Sequence, residues 1–417
     1  MSRFQTTDPI FASEEPLREH YEPDTLHSRD EELDDLAQPL QPVVNGDAPR
    51  NIIVHGNEGT GKSVAVRTIL DELQDDVDTI PDVEVTVVTV QCRHLSSTYQ
   101  LAIRILNTLR NRREETPVSE TGHSTSTIYS ELFDEFDAIG GVIILVLDEF
   151  DEIESGRDEF LRNIPRALSE RTVTESKPGI TITSNSYQIV DSLAPETRDS
   201  LNAELVSFDP YSADELTEIL RTRARAAFNE GVVAERVISH CAAIAAKQSG
   251  SARLACQLLY KPGLLARDDD DAAQVQQSHV EDAQTQLESE YLINGLAALD
   301  TNAHLALISL LKQSVLNNGD GRTANVYDYY VRLAEKYGFE PLSKRNMQKR
   351  LTSMTRKGYV EKTNRKDDGN YNQYSLAVDL DLALQGLQQA DDEIADIAAE
   401  LYADAEDQHL ITRTDEV

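Results

Sequence analysis

Residues 56–63 read GNEGTGKS, flanked by NIIVH (51–55) before and SVAVRTILDEL (63–73) after. The first flank is a short apolar run of strand character, and the second carries Val64, Ile69 and Leu73 at helical spacing. Strand, loop and helix in that order are the setting in which G-x-x-x-x-G-K-[ST] is a phosphate loop rather than a glycine-rich turn. Gly56, Asn57, Glu58, Gly59, Thr60, Gly61, Lys62 and Ser63 fit that pattern position by position. The glycines let backbone N–H groups wrap a phosphate, Lys62 supplies charge to the outer phosphates, and the Ser63 hydroxyl is a magnesium ligand. The expected ligand is a nucleoside triphosphate or its diphosphate product, ATP or ADP, with Mg2+.

Such a loop needs a second strand that delivers a carboxylate to the metal. VIILVLDEFDEI (142–153) does so: six apolar residues, then Asp148 and Glu149. Asp148 is the expected magnesium partner, and Glu149 the group that orients or deprotonates an attacking water, since phosphoryl transfer is mainly a matter of positioning. VEVTVVTV (83–90), ITITSN (180–185) and ELVSF (204–208) bring the number of strands to five, each separated by helical stretches. The alternation predicts a parallel, doubly wound sheet with its ligand at the carboxyl ends of the strands. Asn185 falls at that edge, where an amide can touch the γ-phosphate or the attacking water; SNS is equally a turn sequence.

The chain has 417 residues, 39 basic and 74 acidic, a net charge of −35. Its length suggests two or three cores, and 40% hydrophobic residues place it among globular chains. Acidic surfaces repel nucleic acid, unless concentrated salt shortens the screening length to roughly 3 Å at 1 M, as in a halophile, the reading we adopt. Cys92, Cys241 and Cys256 are too few and too scattered for a disulfide framework or a zinc site. No apolar run approaches a membrane span and the first residues lack a signal pattern, so the expectation is a cytoplasmic protein.

DPYSADELTEILRTRARAAF (209–228) opens a helix with a capping box, Ser212 and Glu215, and ISHCAAIAAKQSGSARLACQLL (238–259) adds two helices broken near Ser249–Ser251. ARDDDDAAQ (266–274) is a solvated charge run. From Pro341 to Lys366 the charge reverses: nine cations stand against Glu361 alone. SKRNMQKRLTSMTRKG (343–358) reads as a helix with Ser343 as its N-cap. Met347, Leu351 and Met354 fall on one stripe and Arg345, Lys349, Thr352 and Arg356 on the opposite side. With the preceding helix VYDYYVRLAEKYG (326–338) this is a helix-turn-helix, and YVEKTNRKDDGNYNQYSL (359–376) reads as a hairpin turned near Asp368–Gly369. The candidate DNA contacts are Arg345, Lys349, Thr352 and Arg356 on the helix and Arg365 and Lys366 on the wing, with Tyr371 and Tyr374 nearby.

A small helical domain after such a sheet resembles the lid of AAA+ ATPases. The whole resembles the archaeal Orc1/Cdc6 replication initiators over roughly residues 10–380. The likeness is carried by YEPDTLHSRDEELDDL (21–36), GNEGTGKS, DEFDEI, SFDPYSADELTEILRTRARAAF (207–228) and the winged helix. It implies an AAA+ five-stranded parallel sheet with a helical lid, followed by a C-terminal winged-helix domain. The expected boundaries are an N-terminal extension (1–20), nucleotide-binding domain (21–210), lid (211–295), winged helix (296–380) and acidic tail (381–417), the last a peripheral helix or a partner-binding segment. It further implies that Arg253, in GSAR where the family has Gly-Asp-Ala-Arg, reaches the nucleotide from the lid. Arg198, the one basic residue between Lys177 and Arg221, is the candidate arginine finger. Arg110, Arg112 and Arg113 are implied as phosphate contacts from an inserted helix. The implied partners are double-stranded origin DNA, an MCM-type replicative helicase and further copies of the chain on DNA, with slow ATP hydrolysis as a switch. Rival readings are a signalling-type regulatory ATPase whose winged helix binds protein, and a DNA transposition or remodelling ATPase.

Overall fold

The computed structural model describes residues 8–21, 23, 25–269, 272–316, 321–365 and 371–411. It divides into two compact units, Met1–Val280 and Glu281–Val417.

The first unit is built on strands β1 (Ile52–Gly56), β2 (Val85–Gln91), β3 (Gly141–Asp148), β4 (Ser176–Ser184) and β5 (Glu204–Phe208). They form one parallel sheet in the order β2-β3-β4-β1-β5. Helices α1 (Asp30–Leu40) and α2 (Lys62–Val77) cover one face; α3 (Thr98–Arg112), α4 (Thr125–Ile139) and α5 (Arg157–Ser169) cover the other. Alternate residues of each strand serve the two layers: Ile52 and Val54 pack with α1 and α2, Ile53 with α3–α5. Burial on both faces is why β3 is continuously apolar, with every residue after Gly141 buried.

The strands largely follow the sequence reading, with one extension. β4 starts at Ser176, four residues before the expected ITITSN, and takes in Pro178 and Gly179. That first half pairs with β3 alone, and β1 joins only from Thr181 onward. One side of Pro178 is therefore free of strand neighbours, so its missing N–H breaks no ladder.

Two short helices, α6 (Ile189–Ser192) and α7 (Pro195–Leu201), precede β5. The helices α8 (Ala213–Ala227), α9 (Glu235–Gln248) and α10 (Ala252–Asp268) pack together as a lid. Ser212 caps α8 with both bonds of the expected box: its Oγ accepts from Glu215 N, and Glu215 Oε2 accepts from Ser212 N at 2.7 Å. The N-terminal segment packs against this lid. Phe11 stacks on Phe228 at 4.8 Å between ring centroids, and Arg267 pairs with both Asp8 and Glu14.

Helix α11 (Gln277–Ala297) carries the chain into the second unit. There α12 (Thr301–Leu311), α13 (Thr323–Lys336) and α14 (Lys344–Arg356) precede an antiparallel hairpin, β6 (Val360–Arg365) and β7 (Tyr371–Leu376). The stripe Met347, Leu351 and Met354 is buried in the shared core. The segment after 380 is not a loose tail. It forms α15 (Leu380–Gln388) and α16 (Asp392–Asp407), and Leu384, Leu387, Ile394, Ile397, Leu401 and Ala405 are buried with the winged-helix residues in one core. The sequence reading left this stretch open between a peripheral helix and a partner-binding segment; four residues of α16 at helical spacing, Ile394, Ile397, Leu401 and Ala405, anchor it in the core. Among the described residues no helix is long and apolar enough to cross a membrane.

If α16 is a structural part of this unit, Leu401→Ala lowers its stability by about 2–5 kcal/mol. Denaturant unfolding followed by circular dichroism checks this; an unchanged midpoint shows that the helix is dispensable.

Candidate nucleotide pocket and nucleic-acid face

Strand register assembles the pocket. Val54 lies opposite Thr183 and His55 opposite Ser184, so the loop after β1 and Asn185 after β4 leave the sheet side by side. Gln91 lies opposite Asp148, and Leu147 opposite Ile182. The loop from Gly56 to Gly61 then turns into α2 at Lys62. Lys62 is 5% exposed, and its Nζ donates to Gly56 O and Asn57 O at 2.8 Å and to Asn185 Oδ1 at 2.9 Å. Lysine can only donate, so Asn185 keeps its amide nitrogen as a donor. Burial pushes the Lys62 ammonium down to about 8, against the pull of Asp148 and other nearby carboxylates. A desolvated cation held by carbonyls is prepared for an anion.

Ser63 Oγ donates to Asp148 Oδ1 at 2.7 Å, which puts a hydroxyl and a carboxylate together as a hard-cation donor pair. Two side chains that the sequence reading missed hold that carboxylate. Gln91 Nε2 donates to its Oδ2 at 2.8 Å, and Thr183 donates to its Oδ1. Both lie at carboxyl ends of strands, and that position was their only signal. Glu149 follows with φ at 55°, a left-handed backbone that a residue with a Cβ adopts at a cost, and its N–H donates to Thr183 Oγ1 at 3.0 Å. Arg93, also unforeseen, forks onto Glu149 with two contacts of 2.9 Å.

The lid seats directly on the loop. Ala252 N donates to Gly59 O at 2.9 Å, and a Cβ at Gly59, whose φ is +75°, would stand 2.0 Å from Ser251 Oγ. Only glycine fits there, by conformation and by space. This seat places Arg253 in an ion pair with Glu58 at the pocket mouth. The cavity, open on one side, is about 290 Å3. Glu58, Gly59, Gly61, Lys62, Ser63, Glu149, Thr183 and Asn185 line one end. Ile219, Arg223, Ala226, Arg253 and Cys256 come from the lid, and Pro16, Leu17, Tyr21, Leu26 and His27 from the N-terminal segment. Pro16 and Leu17, expected only as part of an extension, thus line the cavity together with Tyr21, Leu26 and His27 of the nucleotide-binding domain. The segment is pinned by Arg223, which donates to Pro16 O and lies over the Tyr21 ring at 4.2 Å, and by Arg29, which donates to Asp209 O.

Other candidates stand apart from the cavity. Arg198 is on α7, 40% exposed and 3.9 Å from Asp191, and does not line the pocket. Arg110 and Arg113 converge on Glu135, which is 5% exposed, with further contacts to Glu131 and Glu115, and Arg112 donates to Val87 O. In this structure Arg110 and Arg113 are paired across α3–α4, and Arg112 lies exposed at the β2 edge.

In the second unit, Ser343 caps α14 by accepting from Asn346 N, and the helix ends before Gly358, whose φ is 78°. Arg345, Lys349 and Arg356 are exposed on the side away from the core. Thr352 is half-buried, and its Oγ1 donates to Gln348 O at 2.8 Å. Arg350 is drawn off to Asp300 at 3.2 Å. Arg365 is the last residue of β6; Lys366 and the turn at Asp368–Gly369 lie outside the described residues. Tyr374 is buried in the core rather than displayed on the wing.

Two outcomes test the pocket. Below pH 8 Lys62 is already charged, whereas above it an anionic ligand must draw in a proton. The apparent dissociation constant for a magnesium nucleotide should therefore rise above pH 8, by up to about tenfold per pH unit. Calorimetry in buffers of different ionisation enthalpy should detect the proton uptake, and its absence at pH 9 would contradict the charge state assigned. Replacing Gln91 by Leu should raise the magnesium concentration needed for half-maximal nucleotide turnover, because Asp148 loses one of its anchors; an unchanged magnesium titration would remove Gln91 from the site.

Three family comparisons agree with this geometry. The AAA domain family matches residues 46–182, the Cdc6 AAA+ ATPase-type lid domain 217–285, and the CDC6 C-terminal winged helix domain 294–385. The chain is 35% identical over 389 residues to ORC1-type DNA replication protein 15 of Haloarcula marismortui, covering 93% of this chain and 94% of that protein. It is 36% identical over 391 residues to ORC1-type DNA replication protein 10 of Halobacterium salinarum, with the same coverage. The solved structure of the Aeropyrum pernix Orc1 protein in complex with DNA superposes with a TM-score of 0.77 at 28% identity, covering 94% of this chain and all of that one. With a phosphate loop under an AAA+ lid and a winged helix in the same order along the chain, the protein belongs to the ORC1-type family of DNA replication proteins, the Orc1/Cdc6 AAA+ ATPases.

Proposed function

We propose that the chain is an ATP-switched initiator that holds ATP or ADP with Mg2+ between sheet and lid and grips origin duplex DNA with its winged helix. The loop from Gly56 to Ser63 cradles the phosphates: Asn57, Glu58, Gly59, Thr60 and Gly61 through the backbone, Lys62 through its charge. Ser63 and Asp148 fit magnesium, a hydroxyl and a carboxylate already within 2.7 Å. Magnesium, when bound, offsets phosphate charge. Glu149 accepts a proton from the attacking water, Asn185 positions that water with its free amide nitrogen, and Arg253 contacts the phosphates from the lid. Arg198, outside the cavity, serves the pocket of a second copy when the protein self-associates on DNA. Slow hydrolysis then resets a conformational equilibrium that ATP binding shifts, and the ATP form helps recruit an MCM-type helicase.

The observation that carries the DNA reading is the face of α14. Three exposed cations, Arg345, Lys349 and Arg356, lie along one side of a helix in a chain whose net charge is −35. A protein that elsewhere sheds positive charge has concentrated it on a helix-turn-helix. Thr352 lies on the same side; Arg365, which ends β6, and Lys366, which follows it in the sequence, are the wing contacts of this reading. The Aeropyrum pernix relative was solved as a DNA complex, which supports the same use here.

Binding of the full chain to chromosomal duplex fragments across a potassium chloride series tests this. Lys349→Ala with Arg356→Ala should weaken binding and lower the log–log salt slope by about 2, one for each cation withdrawn from a phosphate, while magnesium-nucleotide affinity stays as in the parent. A parent protein that prefers no fragment in molar salt, or a variant with an unaltered slope, would sink the reading.

A further inference from the structure

Four charged side chains alternate in sign across the mouth of the cavity. Arg253 pairs with Glu58, Glu58 stands 3.7 Å from Arg93, and Arg93 forks onto Glu149 at 2.9 Å. The nucleotide reading uses the two ends of this row, Arg253 and Glu149, and each is held by the middle pair instead. Glu58 is the unexpected member: a carboxylate inside a loop whose backbone is shaped for anions, placed against the arginine of the lid.

We propose that Glu58 stands in for the outer phosphate of the nucleotide and couples its arrival to the release of Glu149. This rests on the nucleotide-binding reading above. A magnesium nucleotide keeps net negative charge and offers several phosphate oxygens to the planar fork of the arginine guanidinium, so it outcompetes a single carboxylate for Arg253. Glu58, Arg253 and Arg93 are each about half exposed, at 55%, 44% and 52%, and exposed pairs are weak enough to exchange. Once Arg253 turns to phosphate, Glu58 is left with Arg93 as its cation. Arg93 shifts to it and loosens its fork on Glu149, which is 16% exposed and lines the cavity.

Two pairs thus become two other pairs, Arg253 with phosphate and Glu58 with Arg93, and one carboxylate is freed. No net charge is created and no lid movement is needed. The bond from Ala252 N to Gly59 O keeps Arg253 and Glu58 neighbours throughout, so the exchange takes only side-chain rotations. Glu58 and Arg93 are positioning residues: they act on the reaction through Arg253 and Glu149.

The exchange predicts opposite effects on binding and turnover. Glu58→Gln in the full chain should tighten magnesium-ATP binding by up to about fivefold, the scale of one exposed ion pair, because Arg253 is free from the start. Bound ATP should then be hydrolysed several-fold more slowly in a single turnover, because Arg93 has no other carboxylate to leave for. Adding Arg93→Gln to Glu58→Gln should restore the single-turnover rate. In an Arg253→Met background Glu58→Gln should no longer tighten binding. If tightening persists there, Glu58 acts only through its general field and the exchange is wrong; it is equally wrong if Glu58→Gln leaves affinity or turnover unchanged. A parent protein that binds no magnesium ATP overturns the nucleotide reading itself, a result distinct from these.

Discussion

The start of α10 rests on the phosphate loop at Gly59, through one backbone hydrogen bond and an approach too close for any side chain. Most of what is specific to the pocket depends on that seat. It fixes the lid against the loop, it delivers Arg253 beside Glu58, and it closes the cavity over Lys62. The N-terminal segment completes the closure by packing Phe11 and Glu14 on the lid while Arg29 ties the following residues to the end of β5. Lid, loop and N-terminal segment therefore share one set of restraints, and a change in any of them reaches the other two.

Charge is distributed with the same economy. In a chain of −35 several cations are committed to nearby acids or carbonyls. Arg110 and Arg113 neutralise a nearly buried glutamate between α3 and α4, Arg93 and Arg253 hold the two acids at the pocket, and Lys62 is desolvated among carbonyls. On α14, by contrast, Arg345, Lys349 and Arg356 stand exposed along one helix face. Acidic surfaces stay soluble in strong salt, and here the exposed cations of α14 stand over a buried stripe of Met347, Leu351 and Met354. Haloarchaeal relatives are in keeping with that balance.

Reading the chain residue by residue recovered elements whose cause is local. The glycine-rich loop between strand and helix, the apolar β3 ending in Asp148, the capping box of Ser212 and Glu215, and the stripe of α14 all follow from spacing, propensity and capping chemistry within a dozen residues. Where it fell short, the cause was long-range. Gln91 and Thr183 are ordinary strand residues until parallel register sets both beside Asp148. Arg93 acquires meaning only through an acid 56 positions away. The partners of Arg110 and Arg113 on α4, Glu131 and Glu135, are likewise set by tertiary packing.

The linear chain thus decided that this protein has a phosphate-loop sequence, a parallel sheet to carry it and a cationic helix-turn-helix, because each of these is written in patterns shorter than one element. Folding alone decided that Pro16, Leu17, Tyr21, Leu26 and His27 form part of a pocket wall, that 380–407 join the C-terminal core, and that Glu58 joins Arg253 to Arg93. Burial and ion pairing are properties of neighbours in space, and neighbours separated by a hundred or more residues leave no periodic trace in the order of amino acids.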